Sequence, residues 1–490
     1  MNVKKKVMIR LFLWIFLSFL FLFLFSYSTS PFYSIIWGHD SAVFQIIGKG
    51  WKNGLIPYRD SFDHKGPLLF ALNAIGYLIG GKMGLFLLQG LFMLAFLEIS
   101  FRTFKLFLKE SMASIIPVVM LMILCRTFDE GNMTEEWSLP FLAISFYCLI
   151  NWLKKYQDGI KSHPPFYAFI YGICFACILF LRVTNAIGVC CCIFIVTVFL
   201  VKNHYWKNLL QNIATILCGV LLIVIPFCLY FYAKGCLYDM WYATILFNLS
   251  YGMGNLWDIK MKISLILWAL AALSIIYWYY FRKEPASYMG ILSAVLTGLL
   301  LYHSRGYEHY YMILCTYLPL YVYMVKGLWE KKEKFWTVIF VLGIAGQVGV
   351  TGLFLPQKLN RRQRMYENEK LNASFDGIME QIGSEERDSI IFYNMEAQAY
   401  LYADIQPVLK YFTHQDFHAS ISEKTREDVL KQFTDAPPKW IVVEIDTEER
   451  PMIENEEIQL FLQENYTMEG QEENSNRNER YGIYKYQNEK

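Results

Sequence analysis

Eleven long apolar stretches succeed one another through the first 355 residues, at 8–28, 83–101, 111–125, 137–153, 166–181, 186–201, 208–232, 262–281, 286–302, 309–325 and 335–355. Most approach the ~20 residues with which a helix crosses the hydrocarbon core of a bilayer. Within lipid a backbone must satisfy its own hydrogen bonds, so repeated runs of this kind imply a polytopic bundle of helices. With 55% hydrophobic and 18% charged residues, a water-soluble globule of 490 residues is excluded. The net charge of +2 gives no electrostatic footprint for nucleic acid. Cys174, Cys177, Cys190, Cys191, Cys192, Cys218 and Cys228 all fall within the apolar runs, where thiols pack as small hydrophobes. The Cys174-x-x-Cys177 spacing lacks the polar surroundings a zinc site needs.

Lys4, Lys5 and Lys6 precede an apolar run longer than a signal core, and no small-x-small cleavage site follows. This reads as an uncleaved anchor. The stretch 67–81 is short and carries Asn73, Gly76, Gly80 and Gly81, so it is read as lying along the interface. With that assignment the loops on the N-terminal side hold 18 lysines and arginines. The opposite short connections hold Arg126, Arg182 and Arg305, one each. Positive charge favours the cytoplasm, which predicts a cytoplasmic N-terminus in a multi-pass cell-membrane protein. The polar loops 40–65, 129–136, 182–185, 234–261 and 303–309 then share the extracytoplasmic face.

The predicted organisation is a transmembrane domain over 1–355, with a first external loop at 29–82, and an extracytoplasmic α/β domain over 356–490. In the latter, 371–382 and 425–433 have helical spacing, and 389–393, 440–443 and 481–486 read as strands. No glycine-rich phosphate loop or nucleophile motif occurs there, which suits a recognition or scaffolding role.

The residues with chemistry to offer lie on the outer face. Asp40 follows Trp37-Gly38-His39 and precedes a helical pattern from Ala42 to Trp51. A helix cap accounts for an Asp there, and a general base toward an acceptor hydroxyl is compatible with the same position. Asp63, His64 and Lys65 sit before the chain-turning Gly66-Pro67. Lys65 suits neutralisation of a phosphate, while Asp63 and His64 suit sugar or acceptor binding or a divalent cation. Asn132 and Glu135, beside Trp137, offer an amide and a carboxylate to sugar hydroxyls, although Thr134, Glu135 and Glu136 also suit the start of a helix. Arg182 and the group His303, Arg305 and His309 place cations where the inside-positive trend disfavours them. Snorkelling to lipid headgroups explains such cations, and so does recognition of a lipid phosphate.

These residues resemble the first external loop of GT-C membrane glycosyltransferases. The likeness rests on an acid just after the first span, a helix, then Gly54-Leu55-Ile56-Pro57-Tyr58-Arg59-Asp60 and the acid-x-Lys-x-Pro element Asp63 to Pro67. The protein O-mannosyltransferase-like group, with its Rgt-like and aminoarabinose-transferase branches, is the most similar. Where that family often has a second acid this chain has Ser41, and its Lys-Pro-Pro appears as Lys65-Gly66-Pro67. The resemblance implies a GT-C fold of about eleven transmembrane helices with interfacial helices. It also implies inverting transfer of a monosaccharide from a polyprenyl-phosphate donor to a glycan, lipid or protein acceptor. Asp40 would be the catalytic acid, Lys65 would belong to the Lys-Pro element, and the setting would be a bacterial cell membrane.

Two other classes compete. A transporter or lipid-carrier flippase calls for charges at mid-membrane and often for repeated halves, whereas this chain collects its charge at one face. A non-enzymatic assembly protein gives no reason for an outer cluster of acids and cations.

Overall fold

The computed structural model describes residues 3–487 apart from 34–37, 129, 251–256, 282–283, 304–306, 332–333, 335–337, 339–341, 344, 357, 359–368 and 475–478. Its chain forms two compact units. The first gathers residues 1–26, 86–230 and 252–358; the second gathers 27–85, 231–251 and 359–490. The predicted C-terminal domain, from residue 359 onward, therefore shares its unit with the loop predicted at 29–82.

The first unit is helical, and its helices fall on the predicted apolar stretches. They are α1 (Val3–Phe25), then α4 (Lys82–Lys105), α5 (Glu110–Thr127), α6 (Thr134–Gln157), α7 (Pro165–Leu179), α8 (Ile187–Lys202) and α9 (Trp206–Ala233). After these come α12 (Trp257–Tyr280), α13 (Pro285–His303), a 3-10 segment Glu308–Tyr317 continuing into α14 (Leu318–Lys331), and helical residues 345–356, here α15. α4 and α9 begin or end at the boundary with the second unit. At 28 residues α9 is about 42 Å long, and it leaves Leu210, Leu217, Leu222 and Leu229 more than half exposed. Such a surface suits lipid and not water. The core lies where α6, α7, α8, α13 and α14 meet around Phe146, Leu149, Trp152, Tyr171, Tyr317 and Met324. Cys148, Cys174, Cys191 and Cys192 pack into this core, and all eleven cysteines are free thiols.

In the second unit α2 (His39–Lys52) packs on α3 (Pro67–Ile79). Pro67 at the first position of α3 supplies a helical φ and removes a donor that would have had no partner. α3 has 13 residues and spans about 20 Å, too short for a ~30 Å hydrocarbon core. The two helices approach closely, because a Cβ on Gly48 would lie 2.4 Å from that of Asn73. Short helices α10 (Leu237–Trp241) and α11 (Phe247–Ser250) flank a π-helical turn.

A four-stranded sheet follows, in the order β1 (Ile390–Tyr393), β2 (Trp440–Ile445), β4 (Glu479–Tyr486), β3 (Tyr466–Asn474). β1 and β2 run parallel with Ile391 opposite Ile441. β4 is antiparallel to both its neighbours, with Val442 opposite Ile483 and Met468 opposite Tyr484. Helices α16 (Glu369–Gln381), α17 (Gln398–Tyr402), α18 (Gln415–Ile421), α19 (Glu423–Asp435) and α20 (Glu456–Asn465) complete an α/β arrangement. Ser422 caps α19 and Asn455 caps α20 through their side-chain oxygens.

Candidate active site

The predicted residues divide between the two units. Asp40, Asp63, His64 and Lys65 belong to the second; Asn132, Glu135, Arg182, His303 and His309 belong to the first. Trp37 and Arg305 lie outside the described residues, and of His303 only its place at the end of α13 is described.

In the second unit, helix α2 opens at His39 with Gly38 as its N-cap, at φ 103 and ψ 121. The first helical bond runs from Ala42 N–H to Gly38 O at 3.0 Å. Asp40 is therefore not the cap expected from the sequence. A cap residue has non-helical backbone angles, and here glycine supplies them one step earlier. Asp40 instead stands inside the first turn, partly exposed, where the helix dipole favours a carboxylate.

The loop to α3 is held by its own polar groups. Asp60 accepts from Ile56 N–H at 2.7 Å and from the Arg59 guanidinium at 2.7 and 2.8 Å. Tyr58, fully buried against Phe70 and Phe231, takes a φ of 68, uncommon for a residue with a side chain. Its hydroxyl donates to Lys65 O at 2.8 Å, which fixes the backbone beside the lysine. Asp63 accepts from Lys65 N–H at 2.7 Å. Lys65, only 8% exposed, places its Nζ 2.7 Å from His64 Nε2. Since the ammonium donates, that ring nitrogen accepts, and the His64 proton sits on Nδ1, 4.0 Å from Asp63 Oδ1. Asn248 donates to His64 O at 2.8 Å.

The four groups act on one another. Burial pushes the Asp63 carboxyl up, Lys65 opposes this, and the Asp40 charge adds to it. Burial pushes His39 down to about 3; His414 lowers it further, Asp40 works the other way, and Lys65 lowers it again. Two carboxylates, one ammonium and a neutral imidazole thus share a small volume, an arrangement common at reacting centres. Among the described residues no group of three or more His, Cys, Asp or Glu side chains is arranged to hold a metal ion. Asp63 and His64 are a pair, not a coordination set.

The first unit presents a different constellation. Gly131 and Asn132, at φ 85 and 63, turn the chain into α6. A Cβ on Gly131 would lie 2.0 Å from Ser26 Oγ, so only glycine fits. The N-cap is Met133, and the expected cap residue Thr134 is already helical; its hydroxyl donates to Glu135 Oε2 at 2.9 Å. Glu135, 1% exposed, accepts from Arg182 Nη1 at 2.7 Å. The same guanidinium stands 3.7 Å over the Tyr310 ring. Asn132 accepts from Trp137 Nε1 at 3.0 Å, while its N–H donates to Glu136 at 2.9 Å. Gln89 donates to both oxygens of Glu136 at 3.0 and 2.9 Å. His309 is sandwiched by aromatic rings, stacked on Tyr307 at 5.6 Å and edge-on to Tyr310 at 4.6 Å.

Each unit also holds a cavity. In the second, Arg59, Asp60, Asp239, Lys410, Lys424 and Asp428 help line a cleft of about 870 Å³. In the first, a cavity of about 320 Å³ is lined mainly by Ile123, Leu270, Leu314, Leu318 and Val350, with Arg126 and Glu308 on its wall. His39, Thr413, His414 and the Gln89–Glu136 pair were not signalled by sequence. Their partners lie far away along the chain, and no local spacing announces them.

No family model and no curated protein matches this sequence. Solved structures do resemble it. ArnT from Cupriavidus metallidurans in the apo state is 11% identical, with a TM-score of 0.61 over 98% of each chain. The same protein bound to undecaprenyl phosphate gives 0.57 at 11% identity over the same shares. The apo oligosaccharyltransferase of Archaeoglobus fulgidus gives 0.52 at 12% identity, covering 89% of this chain and 70% of that one. The fold is therefore the GT-C fold, as the first-loop residues led one to expect. The helices are those of a multi-pass membrane protein.

Proposed function

We propose that this protein is an inverting glycosyltransferase that moves a monosaccharide from a polyprenyl-phosphate donor to an acceptor hydroxyl. The reading rests above all on the gathering of Asp40, Asp63, His64 and Lys65 at the start of α2 and in the loop before α3, within a GT-C fold. The undecaprenyl phosphate held by one structural neighbour supports the donor class.

Asp40, partly exposed at the head of its helix, takes the proton of the acceptor hydroxyl as that oxygen attacks the anomeric carbon. The bond from the anomeric carbon to the phosphate oxygen breaks, and its electron pair leaves with the polyprenyl phosphate. One displacement inverts the anomeric centre. Lys65 offers positive charge where the phosphate charge develops, and its place is set before reaction by Tyr58, Asp63 and His64. Arg182, oriented by Glu135 and Tyr310, is assigned together with His303, Arg305 and His309 to the donor phosphate. Asn132 and Glu135 are assigned to the sugar or acceptor side. The apolar cavity in the first unit suits a prenyl chain, and the polar cleft in the second suits an acceptor rich in hydroxyl groups. The excess of basic residues in alternate loops supports a cytoplasmic N-terminus with the reacting groups and residues 356–490 outside.

The test uses purified protein in nanodiscs with a panel of polyprenyl-phosphate sugars and acceptors, following released polyprenyl phosphate by mass spectrometry. Release that depends on Asp40 is expected from one donor. An Asp40→Asn protein that folds and keeps full turnover refutes the assignment.

A further inference from the structure

The first turn of α2 has no side-chain cap, since its N-cap is a glycine. The initial N–H groups of a helix need partners, and an uncapped first turn frays. Asp40 stands in that turn. Contacts that steady it come from residues more than 350 positions later in the chain and meet at His39.

His39 Nδ1 accepts from Ala397 N–H at 3.3 Å. A nitrogen that accepts carries no proton, so the imidazole hydrogen is on Nε2. Nε2 lies 3.4 Å from Thr413 Oγ1, and the Thr413 hydroxyl donates its own hydrogen to Met395 O at 3.0 Å. Only one assignment satisfies the chain: Ala397 N–H to Nδ1, Nε2–H to Thr413, and Thr413 O–H to Met395. The ring also lies against His414, with centroids 4.0 Å apart. Both ring nitrogens are thereby committed, and the imidazole is held neutral beside Asp40. It has no lone pair left to relay a proton and no charge with which to bind a phosphate.

We propose that His39 is the positioning residue of Asp40. Clamped between Ala397 and Thr413, it fixes the first turn of α2 and with it the direction of the Asp40 carboxylate, so that residues 395–414 take part in turnover without touching substrate. This rests on the reading of Asp40 as the base. A displacement of about 1 Å in a reacting group can cost ~10²-fold in rate, and a neutral clamp avoids a cation that would pair with the carboxylate and lower its basicity.

The experiment measures kcat, and KM for the donor found active, in His39→Ala, His39→Asn, His39→Gln, Thr413→Val and the His39→Ala/Thr413→Val double variant, with Asp40→Asn as control. Donor binding and thermal unfolding are recorded alongside. His39→Ala is expected to lower kcat by about 10- to 100-fold with KM and donor binding unchanged. Asn keeps an acceptor near Nδ1 and Gln keeps a donor near Nε2, so each is expected to recover part of the loss. The double variant is expected to be no slower than His39→Ala, because Thr413 acts through the ring. Full kcat in His39→Ala while Asp40→Asn is dead overturns the inference and leaves the base reading intact. So does a loss that only tracks the folded fraction, or additive effects in the double variant. If Asp40→Asn keeps full turnover, the parent reading fails first.

Discussion

The carboxylates of the first unit, Glu135 and Glu136, are buried, those of the second, Asp40 and Asp63, are partly exposed, and the two pairs are balanced differently. Glu135 meets Arg182 at 2.7 Å and a threonine hydroxyl at 2.9 Å, and Glu136 receives both its oxygens' bonds from Gln89 and another from Asn132. In the second unit Asp40 and Asp63 are set against one lysine, and the adjacent histidine is held neutral. Burial raises the Asp63 carboxyl despite Lys65. Burial alone therefore does not mark a reacting group. The closeness of an opposing charge separates Glu135, met directly by a guanidinium, from Asp63, whose carboxyl stays raised beside its lysine.

The largest expected effect breaks the comparison on the reactive side. Asp40→Asn should cut turnover ~10²–10⁴-fold while leaving the unfolding temperature unchanged, read by released polyprenyl phosphate and by thermal unfolding. On the orienting side stability should move first. Glu135→Ala leaves a buried guanidinium without its counter-charge, and the expected loss is about 3–5 kcal/mol in unfolding free energy. Replacing both partners, as in Glu135→Leu with Arg182→Met, should recover most of it. A Glu135→Ala protein of unchanged stability would show that the pair behaves as a solvent-exposed one.

Acidification sharpens the contrast. His418 is buried and pushed down to about 3 by desolvation, then by His414 and His39. Its folded value lies below the unfolded value of about 6.5, so its contribution is complete above pH 6.5 and drains away as pH falls toward 3. Going from pH 6.5 to 5 should cost about 2 kcal/mol from this group, and His418→Leu should flatten the dependence. Asp63 runs the other way, because its folded value is raised and protonation relieves it as pH falls. Asp63→Asn should therefore steepen the loss, as thermal unfolding at pH 7 and pH 5 would report. The smallest effect is expected at Lys49–Asp404, where Asp404 is 88% exposed. Asp404→Asn should change stability by less than about 1 kcal/mol.

Much of this was legible in the chain. Apolar length located the helices of the first unit, and the glycines and Asn73 in 67–81 pointed to the short α3. β1, β2 and β4 lie where β-branched and aromatic residues alternate or cluster, at 390–393, 440–445 and 479–486. β3 was missed because Tyr466–Asn474 is largely polar with three acidic residues, and pairing with β4 decides its conformation. α18 and α20 were missed as well, being short. At the site, Asp40, Asp63, His64 and Lys65 were visible because charge beside an apolar span needs a reason. Asp40 was misplaced as a cap because composition does not show that Gly38 takes that position. Thr413 was beyond reach, since nothing near position 413 points to a ring at position 39.

The crossing of α2 on α3 carries a lesson about how such a chain can drift. Gly48 stands against the Asn73 backbone and Cβ, so the spacing of these helices is set by one missing methyl group. At the far end of α2, Gly54 has nothing within 4 Å of where a Cβ would be. At the tip a Cβ meets open space and only the backbone, at φ 100, favours glycine, while a single carbon added at position 48 drives two helices apart. Across descendants of this sequence, the smallest side chain on the interior of α2 is the character that stays.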